Sequence, residues 1–132
     1  MVFAASQVGG WSDGQVISYY WNDTGEFYKR WSAVGGRTEI QTPVAVALDN
    51  TYRRVIVLEA GGHLKIFSME PLAQGPHRYI TKWGGYGEGD GEFISASARA
   101  VDVEVDSRGR IYVLDMVGGA PRKRIRIQVF EP

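Results

Sequence analysis

The chain has 132 residues, 44% of them hydrophobic and 23% charged, which is ordinary globular usage and argues against both a disordered chain and a membrane protein. Its 15 Lys and Arg balance its 15 Asp and Glu, so no global field draws it to nucleic acid, an anionic membrane or an acidic partner, and any such binding must come from a local patch. The absence of cysteine excludes disulfides, thiolate nucleophiles and sulfur metal ligands. No basic leader precedes Gly9 and Gly10, so neither a signal peptide nor a membrane span is read at the start, and a cytoplasmic chain is favoured.

Taken in chain order, residues 2–6 form an apolar run, followed by Gly9-Gly10 and by a second run, 16–21, that ends in aromatics. A third run, 26–31, closes on Arg30 and Trp31. Residues 44–49 are small, apolar and end on Asp49; runs at 55–59, 64–67 and 79–83 then repeat the first series, with Gly61-Gly62 in the loop and Lys82-Trp83 at the close. The third series begins at 100–106, ends on Asp106, and continues through the hairpin signal Ser107-Arg108-Gly109-Arg110 to runs at 111–115 and 125–130, with Gly118-Gly119 between them. Corresponding runs recur at about 50 residues, a spacing that reads as propeller blades. No segment has a sustained helical period.

The expected class is therefore all-β, with β-propeller blades of four-stranded antiparallel sheets: one segment over residues 1–132, with blades at about 1–36, 37–88 and 89–132. A small sheet with two apolar faces cannot stand alone, so neighbouring blades must cover it. Trp31 and Trp83 occupy matching places and are expected to pack between blades.

The third series carries a glycine-rich lead-in from Trp83 to Phe93, a Val-rich strand ending in Asp106, Tyr112-Val113-Leu114-Asp115, and Arg126-Ile127-Gln128-Val129-Phe130. In this it resembles the NHL repeat. The middle series is similar, with Glu59 in the place of Asp115, and the first departs further, with Ser6 there. The resemblance implies a propeller and leaves the function open, since NHL-like propellers include lyases, sensor domains and protein- or RNA-binding platforms. Three, four and three strands are counted, an incomplete ring per chain, against about four to eight blades in closed propellers. A homodimer that closes the ring is the expected partner arrangement, because an open stack leaves an apolar face and unpaired edges.

Candidate site residues are few. His63 follows a glycine turn and His77 follows Pro76 in a polar loop, a spacing that makes no metal site on one element. Zinc lyases similar to NHL propellers carry several channel histidines, which this pair does not match; neither metal nor cofactor is expected. Asp49, Asp106 and Asp115 end strands or begin turns and are expected to accept bonds from nearby backbone amides. Asp102 and Glu104 alternate with Val101, Val103 and Val105, so both point to one face, toward an aqueous channel or toward Arg99 and Arg108. The cluster Arg122, Lys123, Arg124 and Arg126 reads as a solvated strand face, with phosphate binding as the rival; net neutrality disfavours nucleic acid. The acidic glycine-rich stretch 87–92 lacks the ligand spacing of a calcium loop.

With no nucleophile elbow, phosphate loop or nucleotide fingerprint, the function expected is a non-catalytic scaffold holding a protein, peptide or small ligand on a propeller face or in its channel. The alternatives are a streptogramin-lyase-like or amidating-lyase-like enzyme, with Asp102, Glu104, His63 and His77 in the channel, and RNA binding through the basic strand.

Overall fold

Apolar runs of four to seven residues cut by Gly and Asp turns leave the backbone few choices besides short antiparallel strands. The computed structural model describes residues 2–7, 14–21, 24, 27–31, 40, 42–71, 77–93, 102–117, 121 and 124–132. Among these there is no helix and there are ten strands: β1 (Val2–Gln7), β2 (Gly14–Trp21), β3 (Phe27–Trp31), β4 (Pro43–Asp49), β5 (Arg54–Glu59), β6 (His63–Pro71), β7 (His77–Gly84), β8 (Asp102–Val105), β9 (Ile111–Val117) and β10 (Arg124–Phe130). They form three antiparallel sheets ordered β1-β2-β3, β4-β5-β6-β7 and β8-β9-β10. The chain is all-β, as its sequence indicates. β1 lies against β4 and β4 against β8, a stack of small sheets compatible with a β-propeller-like fold.

The middle sheet explains the composition of its strands. Val55 through Glu59 are all buried, because neighbouring sheets cover both faces of β5. Val55 and Val57 pack with Val16, Ile40, Phe67 and Met69 on the side of the first sheet. Ile56 and Leu58 pack with Leu64 and Ile66 against Val103, Ile111, Val113 and Phe93 of the third series. A strand buried on two faces has no use for polar alternation, and 55–58 has none.

Strand register makes the two seams equivalent. In the middle sheet Leu48, Val55 and Phe67 form one row across β4, β5 and β6, facing the first sheet. In the third sheet Val105, Ile111 and Phe130 form the matching row across β8, β9 and β10, facing the middle sheet. Phe130 there meets Trp83 at 4.4 Å and Phe93 at 5.9 Å between ring centroids, so Trp83 packs between sheets as expected; the side chain of Trp31 lies outside the described residues.

Two expectations need correction, and others lie outside the described residues. The run at 64–67 is the core of a longer strand, β6, whose register against β7 shifts at Ile66/Phe67 and again before Pro71. That irregularity brings His77 into β7 opposite Pro71 rather than leaving it in a polar loop. The third series' first strand is described only over Asp102–Val105, and Arg99 and Val101 lie outside the described residues, as do Arg122 and Lys123.

Leu58 is fully buried in the seam with the third sheet. Leu58→Ala is expected to lower unfolding free energy by about 2–5 kcal/mol in urea titrations, whereas Ile80→Ala, on the exposed stretch of β7, should change it by less than about 0.5 kcal/mol.

Candidate functional site

The charged groups of the chain sort by the strand ends that carry them. At the β4–β5 hairpin, Asp49 Oδ1 accepts hydrogen bonds from the backbone N–H of Thr51 at 3.0 Å and of Tyr52 at 2.9 Å, while Arg54 Nε donates to Oδ2 at 2.8 Å. The β8–β9 hairpin repeats the device. Asp106 Oδ1 accepts from the N–H of Arg108 at 2.9 Å and Arg110 at 3.0 Å, and Oδ2 accepts from Arg110 Nε at 2.8 Å and the Tyr112 hydroxyl at 3.2 Å. Arg53 and Gly109 hold corresponding left-handed turn positions, φ 55° and 79°. At Gly109 a side chain would also run into the Tyr52 ring. The two turns are joined by Thr51 Oγ1, which donates to the Ser107 carbonyl at 2.9 Å, and the Arg54 guanidinium lies 4.9 Å from the Tyr52 ring centre.

Partial desolvation pushes the Asp106 carboxyl up, but the two backbone N–H donors, the Arg110 guanidinium and the Tyr112 hydroxyl outweigh it and hold the group at about 2, below the ordinary 3.8. The same contact raises the Arg110 guanidinium.

At the far ends of the second strands a different pair recurs. Glu59 meets Lys65 at 2.9 Å and Asp115 meets Arg126 at 2.8 Å, and both carboxylates are buried. Asp115 was expected to serve a turn. Instead β9 runs two residues past it, and it sits directly opposite Arg126 in the ladder, with Arg126 Nε and Nη2 donating to its two oxygens. The remaining donors of Arg126 reach the carbonyls of Glu88 at 2.7 Å, Gly89 at 3.3 Å and Glu92 at 2.9 Å. Gln128 completes the clamp, donating to the Glu92 carbonyl and accepting from Gly91 N–H, each at 2.9 Å. The glycine-rich lead-in is thus held through its backbone by two polar side chains of β10. At Gly84, φ 90°, a side chain would meet the Phe93 ring and the Gly62 carbonyl, which fixes glycine where the lead-in leaves β7.

The solvated face of β10 is therefore the reverse of the one expected. Arg126 and Gln128 are half-buried under the lead-in, while Ile125, Ile127 and Val129 are 74%, 63% and 49% exposed. Arg126 has its donors occupied, and of the basic cluster Arg124 alone is a described, exposed residue.

The proposed catalytic set does not converge within the chain. His77 is buried at the start of β7, where its Nδ1–H donates to the Ser68 carbonyl at 2.9 Å. Burial holds its imidazole below the ordinary 6.5, against the hydrogen bonds to the Ser68 and Met69 backbone and the charge of Glu70. His63 opens β6 beside Gly61. Asp102 and Glu104 are exposed on β8, with Asp102 Oδ1 accepting from Val103 N–H at 2.9 Å. They share a face, as the alternation indicates, and it is the face turned away from the middle sheet that carries both histidines. Among the described residues no group of three or more His, Asp or Glu could hold a metal ion. The cations Arg54, Lys65 and Arg110 were passed over in the sequence; the Asp-to-Arg spacing across each hairpin is the signal that marks two of them.

No protein-family model matches the chain, and comparison with curated proteins gives no match.

Two measurements test this charge framework. A carboxyl held below its unfolded value adds stability that is complete above about pH 4 and is lost as pH falls toward 2. An NMR titration should find the Asp106 midpoint at about 2, and Arg110→Met with Tyr112→Phe should move it toward 3.8. Separately, Arg126→Met leaves the fully buried Asp115 side chain uncompensated; it should cost about 3–5 kcal/mol in urea unfolding and speed hydrogen exchange across residues 85–93.

Proposed function

We propose that the chain is a segment of an NHL-like β-propeller acting as a non-catalytic scaffold, which holds a peptide, protein or small ligand on one end of the stacked sheets. The observation that carries this reading is where the charges are spent: the carboxylates at repeat-equivalent strand ends, Asp49 with Asp106 and Glu59 with Asp115, are each tied to a cation within the fold. The pattern of Asp106, Asp115, Arg126 and Gln128 in hairpin and lead-in supports the NHL assignment, since those motif positions have structural partners here.

The end formed by the β4–β5 and β8–β9 turns is the favoured binding surface. It is preorganised by the Thr51–Ser107 hydrogen bond, and it presents Tyr52, 52% exposed, and the exposed Arg108 from adjoining turns. An aromatic ring beside a guanidinium on a rigid base suits an acidic peptide, because little ordering entropy is lost on binding.

A fluorescent library of acidic and neutral peptides titrated with the chain tests this. Acidic peptides should bind, and Tyr52→Ala or Arg108→Ala should weaken them by about tenfold or more. Failure of every peptide to bind at about 1 mM, or substrate turnover abolished by Asp102→Asn or Glu104→Gln, would overturn the scaffold reading.

A further inference from the structure

The open face of the third sheet has an internal template. In the middle sheet the rows Ala45, Leu58, Leu64 and Ala47, Ile56, Ile66 face the third sheet and form its seam. The register of the third sheet places Asp102, Leu114, Ile127 and Glu104, Tyr112, Val129 at the same positions. Among the described residues nothing covers this face: Ile127 and Val129 are exposed, as is Ile125 beside them. Both existing seams use one rule, in which each sheet's Val55- or Ile111-bearing face covers the sheet before it. Under that rule the occupant of the third sheet's open face is another sheet of this kind, presenting the face that the first sheet turns away from the middle one.

We infer that a second copy of this chain supplies that sheet, the first sheet of each copy seating on the third sheet of the other to close a ring of six sheets with two-fold symmetry. The size of the contact fits. The face is built from β8, β9 and β10 with 4, 7 and 7 residues, which at about 3.4 Å per residue and about 4.8 Å per strand gives a footprint of about 290 Å². Two such seams, with two faces each, bury about 1,200 Å², at the lower end of the range of stable dimers, about 1,200–2,000 Å².

The charges of β8 agree with this arrangement. Ala45 and Ala47 lie on β4, which has β8 across its seam. Their counterparts Asp102 and Glu104 would face the inner edge of the first sheet, where β1, matched in sequence to β5 and β9, is the end strand. No described strand stands inside β1, so the carboxylates border the central opening and keep their water, which two buried unpaired carboxylates could not do without large cost. The inference rests on sheet packing and is independent of the peptide-binding reading.

Sedimentation velocity and small-angle scattering of the ligand-free chain provide the test. Twice the chain mass and a ring-shaped envelope are expected. Ile127→Arg, at a position 63% exposed in the single chain, should weaken the dimer at least about 100-fold, since it buries an unpaired charge in the seam, while far-UV circular dichroism stays unchanged. Ile80→Arg, on exposed β7 outside the seams, should leave the mass at two copies. A monomer at micromolar concentration, a dimer that survives Ile127→Arg, or growth beyond two copies into an open stack would each overturn the inference.

Discussion

Everything in this molecule depends on one constraint: a strand that is apolar on both faces can be stable only between two other layers. β5 imposes it. With Val55 and Val57 on one side and Ile56 and Leu58 on the other, all fully buried, the middle sheet needs a cover on each face. Burying four such side chains contributes several kcal/mol in hydrophobic free energy, far more than any surface ion pair in the chain could supply. The first and third sheets are those covers, and the outward face of the third, with Ile125, Ile127 and Val129 exposed, then inherits the problem.

The ion pairs work at a different level. They do not hold sheet to sheet; they fix the turns and loops that set where each sheet begins and ends. Asp49 with Arg54 and Asp106 with Arg110 shape the hairpins at one end of the stack. Glu59 with Lys65 and Asp115 with Arg126 lie on the facing strands at the other. Because Arg126 also gathers three backbone carbonyls of the lead-in, a single guanidinium ties the buried Asp115 to the loop that crosses it, a more demanding role than pairing alone. Among the described residues this framework engages the four carboxylates that end the first and second strands, Asp49, Asp106, Glu59 and Asp115.

The repeats diverge in how they pair the buried carboxylate. Glu59 is met by Lys65, which lies across from Val57 and so holds the register place of Gln128, whereas Asp115 is met by Arg126 directly across the ladder. Arginine is the residue that can bind a carboxylate with two nitrogens and still donate elsewhere, and it stands where a long lead-in must be clamped. Ala45 and Ala47 of the end strand β4 give way to Asp102 and Glu104 on the end strand β8, a change from positions packed in a seam to positions exposed to water.

The strands were legible in the sequence because their cause is local. Apolar runs, Gly turns and the recurrence of Asp at strand ends mark where β4, β5, β8 and β9 lie, and the turn roles of Asp49 and Asp106 follow from a side chain reaching an amide two residues on. What depends on long-range pairing was not legible. That Asp115 serves Arg126 rather than a turn, that His77 is drawn into β7 by a register shift, and that β10 turns its isoleucines outward while its arginine and glutamine face the lead-in are decided by which segments meet across a seam. Alternation told that Arg126 and Ile127 point to opposite faces; only the tertiary arrangement decided which face was covered, because a strand's period of two is the same whichever side the neighbouring layer occupies.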